Sequence, residues 1–336
     1  RVFAITRALQ LGYSIDKIHS LTKIDKWFLH KIKNVIDTKS SLSKFETNTI
    51  PENILRTAKE LGFSDFQIGK IVSNNGLDLK SKMFEIRNYR KEKNILPFVK
   101  QIDTLAAEYP AQTNYLYMTY NGANDDIEFK EKNNFIVLGS GAYRIGSSVE
   151  FDWCCVSCVQ SLKDNKKKTI MINYNPETVS TDYDICDRLY FEELSIERVL
   201  DIYEKEHPEG VVISMGGQIP NNLATTLHSQ NVKIIGTSPE DIDRAENRHK
   251  FSALLDELKI DQPEWTESKS IKEAQNFATK VNYPVLIRPS YVLSGAAMSV
   301  ASNKDELESY LKKASEVSKE HPVVISKFLT NAKEIE

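Results

Sequence analysis

Asn173-Tyr-Asn-Pro-Glu-Thr-Val-Ser-Thr-Asp182 lies between an apolar run, residues 169–173, and an aspartate-rich turn. It reads as the end of a buried strand followed by a polar loop. Pro176 fixes one φ and removes a donor, and Glu177 is a lone carboxylate beside it. Thr178, Ser180, Thr181 and Asp182 crowd short hydrogen-bonding groups into a few positions. In an open parallel sheet, ligands meet the loops that follow the strand ends. A well-capped turn is the plainer reading. A second, unrelated stretch, Arg288-Pro-Ser-Tyr-Val-Leu-Ser-Gly295, favours the functional one.

Around this loop the chain alternates strand, loop and helix. Strands are predicted over 135–138, 169–173, 187–191, 210–214 and 233–235, and helices over 148–162, 195–206 and 221–229. That alternation implies a doubly wound parallel sheet over 135–240. The loop after its first strand is Gly139-Ser-Gly-Ala-Tyr-Arg-Ile-Gly146. A dinucleotide fingerprint wants its third glycine at 144, where Arg144 stands, and an acid at the end of the second strand, where Asn173 or Asn175 is found. Nicotinamide binding is therefore disfavoured. The glycines still let the chain turn tightly at the helix entrance. Glu150 follows early in that helix, near the ligand-facing edge; an acid favoured by the helix dipole is the alternative.

Residues 1–95 carry helical periodicity throughout. Ser14 and Thr22 are expected to cap the first helices, Pro51 and Glu52 to open another, and Gly62 and Ser64 to separate two more. No acid, base and nucleophile converge there, so packing and assembly are its expected roles. Residues 96–134 form a connector with one strand over 113–120. Residues 241–336 read as an unfinished α+β lobe, entered by one helix over 239–258 capped by Ser238. It has strands at 284–288, 298–300 and 322–328. Arg288 ends a strand, and a guanidinium there can fork two hydrogen bonds onto a phosphate. The small residues 294–297 suit a loop that folds over a triphosphate. Lys327, Leu329 and Glu334 sit at and after the last strand. There backbone groups can read a base edge and a carboxylate can take ribose hydroxyls.

The chain has 336 residues, 27% of them charged, with a net charge of −3. This gives no electrostatic case for nucleic acid or an anionic membrane. No apolar run approaches a membrane span. Cys154, Cys155 and Cys158 form Cys-Cys-x-x-Cys without a second ligand pair, so buried thiols on one helix face are expected rather than zinc, in a reducing compartment. Arg1 opens inside an apolar-periodic pattern and Lys333-Glu-Ile-Glu336 ends without a cap, which suggests a piece of a longer protein.

Taken in order, several motifs resemble the central part of the carbamoyl phosphate synthetase large subunit. They are Ile102-Asp-Thr-Leu-Ala-Ala-Glu108, Arg144-Ile-Gly-Ser-Ser-Val-Glu-Phe-Asp152, Asn175-Pro-Glu-Thr-Val-Ser-Thr-Asp182, Gly216-Gly-Gln218, Gly236-Thr-Ser-Pro239, Ile242-Asp-Arg-Ala-Glu246 and the Arg288 stretch. Ser147-Ser148, Trp153 and Lys327 resemble the eukaryotic branch, and the text from Asn121 the fungal arginine-pathway type. The resemblance implies an oligomerisation domain (1–95), then a pre-ATP-grasp domain (135–240) and the start of an ATP-grasp domain (241–336) of the second synthetase half. That half phosphorylates carbamate with ATP and Mg2+, feeding arginine or pyrimidine synthesis. By position, Arg248, Arg288, Lys327, Leu329 and Glu334 would contact ATP, with Arg288 the catalytic contact on phosphate. Glu150 and Glu177 would line the carbamate path. Metal ligands are expected downstream of Glu336, so this piece alone should be inactive. Bacterial relatives have Gly-Gly in place of Ser294-Gly295 and His in place of Lys327, which bears on the details of nucleotide contact. Implied partners are a glutaminase subunit or domain and further copies through the helical domain, in the cytoplasm or the mitochondrial matrix. The alternative reading is an assembly module without catalysis of its own.

Overall fold

A computed structural model describes residues 1–73, 78–130, 132–141, 150–268, 270–289, 298–317 and 323–333. Two compact units divide the chain: 1–112 with 116–128, and 113–115 with 129–336.

In the first unit, helices α1 (Val2–Gln10), α2 (Ile15–Thr22) and α3 (Lys26–Leu42) enclose a small core of Ile5, Ile18 and Leu29. Ser14 caps α2 by accepting the Lys17 N–H, as expected. Thr22 does not cap α3; it ends α2 with its hydroxyl donating to Ile18 O. Asp25 is the cap, accepting the Trp27 N–H at 2.8 Å, because its carboxylate is the stronger acceptor for the exposed N-terminal amides. Helices α4 (Glu52–Glu60), α5 (Asp65–Val72) and α6 (Leu79–Glu92) pack around Leu55, Ile68 and Ile86. Gly62 supplies the positive φ between α4 and α5. Asp65 is buried between Lys59 and Arg90. Strands β1 (Phe98–Gln101) and β2 (Tyr115–Thr119) then pair antiparallel. The sequence reading missed β1, which is only four residues long.

The second unit opens with β3 (Asn134–Leu138), α7 (Glu150–Asp164), β4 (Lys168–Asn173), β5 (Arg188–Phe191), α8 (Ile196–Glu206), β6 (Gly210–Val212), α9 (Gln218–Ser229) and β7 (Ile234–Ile235). These five strands are parallel, in the order β5-β4-β3-β6-β7. The order reverses between β3 and β6, the switch point of a doubly wound sheet. In the central strands Ile136, Val137, Leu138, Ile170, Met171 and Ile172 are buried on both faces, the usual state of a parallel sheet. On α7 only Cys155 of the three expected thiols is fully buried; Cys154 and Cys158 are half-buried. The expected helix start at 148 lies outside the described residues.

The expected single helix over 239–258 is two: α10 (Pro239–Glu246) and α11 (Arg248–Glu257). Asn247 breaks it. Its backbone closes α10 while its side chain accepts the N–H groups of His249 and Lys250 at 3.1 and 3.2 Å. Asparagine offers the backbone this alternative to continuing a helix. Strand β8 (Trp265–Ser268), α12 (Ile271–Val281), β9 (Val285–Arg288), β10 (Ser299–Ala301), α13 (Lys304–Val317) and β11 (Val323–Lys327) complete the lobe. Its sheet is antiparallel, ordered β10-β9-β11-β8, with α12 and α13 covering Val285, Ile287 and Ile325. The architecture is thus a helical part, a doubly wound parallel sheet and an α+β lobe.

Candidate functional site

At the carboxyl edge of the parallel sheet, β4 ends in Asn173, which is completely buried. Its Nδ2 donates to Ser180 Oγ at 2.9 Å, and its Oδ1 accepts the Asn175 N–H at 3.1 Å. The position where a dinucleotide site keeps a ribose-binding acid is therefore occupied by an amide whose polar atoms serve its own loop. Glu177 donates its N–H to Asn175 Oδ1 at 3.0 Å while its side chain is exposed. Thr178 and Thr181 close a one-turn 3₁₀ helix that brings Ser180 back beneath the loop. On the neighbouring helix, Asp152 accepts the Ser180 N–H at 3.2 Å. Glu150 is the first residue of that helix and is exposed. The structure thus puts the Glu177 loop against the helix whose first turn carries Glu150.

The loops after β3 and β6 meet backbone to backbone at the switch point. A Cβ on Gly216 would run into the carbonyl oxygens of Gly139 and Leu138, and one on Gly139 would lie 2.7 Å from Asn173 Cγ. Gly217 has φ +79 and faces Phe151, and Gly141 has φ +72. From the start of α9, Gln218 Nε2 and Asn221 Nδ2 donate to Glu246 of α10 at 3.1 and 2.9 Å. Gly146 and Arg144 lie outside the described residues.

In the α+β lobe, Arg288 ends β9 opposite Val324, and Arg248 opens α11. Arg288 is half-buried; burial lowers its pKa, and the charge of Arg248 lowers it further. Among the described residues no acid offsets either effect on Arg288. A guanidinium that is partly desolvated and feels a second one is the kind of group that can accept a polyanion as its counter-charge. Lys327 ends β11, and its Nζ is engaged with the carbonyls of Asn282 at 2.6 Å and Tyr283 at 3.4 Å. Leu329 is exposed just beyond the strand. Glu334 and Ser294-Gly295 lie outside the described residues. Among the described residues no three acids, histidines or cysteines gather as a metal site.

Sequence reasoning alone did not single out Asp152 or Asn247. Their types are ordinary at helix starts, and only the fold shows what they hold.

Three family models match consecutive parts of the chain. Residues 1–94 match the carbamoyl-phosphate synthetase large chain oligomerisation domain, 131–244 the carbamoyl phosphate synthase preATP-grasp domain, and 247–336 the carbamoyl-phosphate synthase L chain ATP binding domain. The chain belongs to the carbamoyl phosphate synthetase large-chain family. It is 58% identical to Multifunctional protein URA2 of Saccharomyces cerevisiae and 57% identical to Multifunctional protein CAD of Squalus acanthias, over 100% of this chain and 15% of each relative. It is 57% identical to the carbamoyl phosphate synthase arginine-specific large chain of Eremothecium gossypii, over 100% of this chain and 30% of that one. The chain thus spans between 15% and 30% of the length of these relatives. Among solved structures the likeness is looser. The biotin carboxylase domain of Hydrogenobacter thermophilus 2-oxoglutarate carboxylase aligns over 59% of this chain and 45% of its own, at 17% identity and a TM-score of 0.46. As part of a synthetase large chain, the region holding Arg248 and Arg288 is the ATP binding domain.

Proposed function

We propose that this chain is the centre of a carbamoyl phosphate synthetase and begins the half that phosphorylates carbamate with ATP and Mg2+. The oligomerisation domain directly precedes the preATP-grasp match, the order expected of the second half. The observation that carries the reading is Arg288, ending β9 within the ATP binding domain, partly buried, within reach of the charge of Arg248 and, among the described residues, without an acid that offsets it. Arg288 and Arg248 would hold the phosphates of ATP, with Lys327, Leu329 and Glu334 toward the nucleoside. Phosphoryl transfer is helped chiefly by positioning and by neutralising charge on the transferred group, which is what a guanidinium at that point supplies. Glu150 and Glu177 line the path by which carbamate arrives, and excluding water there matters because carbamate decomposes in it. Ammonia comes from a glutaminase subunit or domain. The product feeds arginine or pyrimidine synthesis, which the growth requirement of a disrupted strain, arginine or uracil, separates. In the full-length enzyme, Arg288→Ala should suppress carbamoyl phosphate formation more than bicarbonate-dependent ATP hydrolysis. Equal loss of both would show that the halves were wrongly assigned.

Assembly is the second role. Phe3, Leu21, Trp27 and Phe28 are 91%, 66%, 59% and 56% exposed on α1–α3, above a core of three buried residues. Large apolar side chains left exposed on small helices suit burial against a further copy. Light scattering of the full-length protein with Phe3, Trp27 and Phe28 changed to serine should show a smaller assembly; an unchanged mass would refute this role.

A further inference from the structure

The Glu177 side chain is exposed, and hydrogen bonds fix the backbone that carries it. The bonds that fix that backbone form one connected path. Asp152, half-buried and two residues after Glu150, shares the Ser180 N–H between its two oxygens at 3.2 Å each. Ser180 is completely buried and accepts from the completely buried Asn173 at 2.9 Å. Asn173 accepts the Asn175 N–H at 3.1 Å, and Asn175 accepts the Glu177 N–H at 3.0 Å. A carboxylate accepting a backbone N–H makes a charge-assisted bond, roughly twice as strong as a neutral one. The path therefore ties the helix of Glu150, the loop of Glu177 and the end of β4 into one frame.

We propose that Asp152 and Asn173 are positioning residues that clamp the 174–181 loop and so hold Glu177 in a fixed relation to Glu150. The proposal rests on the reading of those two glutamates as liners of the carbamate path. Release of the clamp lets the loop shift and admits water to the path. Carbamate then decomposes before it is phosphorylated, while the ATP used to make it has already been spent. The effect should appear as lost coupling and not as lost turnover.

The test measures carbamoyl phosphate formed per ATP consumed by the full-length enzyme, with amide exchange at Ser180 and Glu177 followed in parallel. Asp152→Ala should lower the yield per ATP by about tenfold and speed that exchange, with bicarbonate-dependent ATP hydrolysis kept within about twofold. Asp152→Asn, which retains an acceptor oxygen, should recover most of the yield. Ser180→Ala, which removes only the acceptor used by Asn173, carries the same comparison if Asp152→Ala does not fold. An unchanged yield, or yield and hydrolysis falling by the same factor, would overturn the clamp. Glu177→Gln separates the two failures. If it lowers the yield and the Asp152 variants do not, the clamp alone is wrong; if it too leaves the yield unchanged, the path reading falls and the clamp with it.

Discussion

Asp65 accepts Arg90 Nε through both carboxylate oxygens, at 3.0 and 2.9 Å, inside the helical unit. Lys59 Nζ reaches the same carboxylate at 2.9 Å, and the ring of Tyr120 lies 5.0 Å from Lys59 Nζ and 5.7 Å from Arg90 Cζ. All three charged side chains are at most 1% exposed. Removing the acid leaves two buried cations facing each other. Asp65→Asn should cost about 3–5 kcal/mol in urea unfolding. Lys59→Met, which leaves Asp65 its bonds from Arg90 Nε, should cost clearly less. Equal costs would mean that Asp65 does not organise the group.

Gly216 packs its Cα onto the carbonyls that end β3. The two nearest clashing atoms are backbone oxygens and the third is Cγ of the Pro220 ring, so no flexible side chain can swing aside. Gly216→Ala should destabilise the second unit by about 1–3 kcal/mol or more. Gly62→Ala is the contrast: a Cβ there meets nothing within 4 Å and incurs only the strain of φ +89. Thermal unfolding of both variants distinguishes collision from strain.

Asp187 ties the entries of β4 and β5 together by accepting from Lys168 Nζ, Thr169 N and Thr169 Oγ, each at 2.9 Å. Burial pushes its pKa up, but the hydrogen bonds from Lys168 and Thr169 outweigh this and leave it below the ordinary aspartate value of 3.8. A carboxylate depressed on folding stabilises above its unfolded value, and the gain is lost as pH falls through the folded one. The wild type should therefore exceed Asp187→Asn in stability at pH 6, and the gap should close below pH 3.8. A gap that persisted or widened in acid would reverse the assigned sign.

The parallel sheet was readable because strands buried on both faces leave uninterrupted apolar runs such as Thr169-Ile-Met-Ile-Asn173. Strand β8 was not: Trp265-Thr-Glu-Ser268 is half-exposed at the sheet edge and mixes polarities. Helix α12 escaped because its inward face is mostly small, Ala274 and Ala278 with Val281. Asn247 hid a helix break, since a long apolar pattern spanned it. At the site, Arg288 was legible as a cation ending a strand. Its nearness to Arg248 depends on how α11 packs on the lobe, which no local pattern encodes. The backbone carbonyls engaged by Lys327 come from a turn more than forty residues earlier.

The buried amide at the end of β4 also bears on descent. A sheet wound in this order could serve a dinucleotide if an acid stood there for the ribose. At Asn173 that exchange would remove the donor to Ser180 and place a charge where the loop needs a neutral amide. The same substitution that opens one cofactor's chemistry would unfasten the loop bearing Glu177. A single exchange at this position therefore cannot add nicotinamide use while keeping the loop fastened, and drift at Asn173 should be rarer than at the exposed positions beside it.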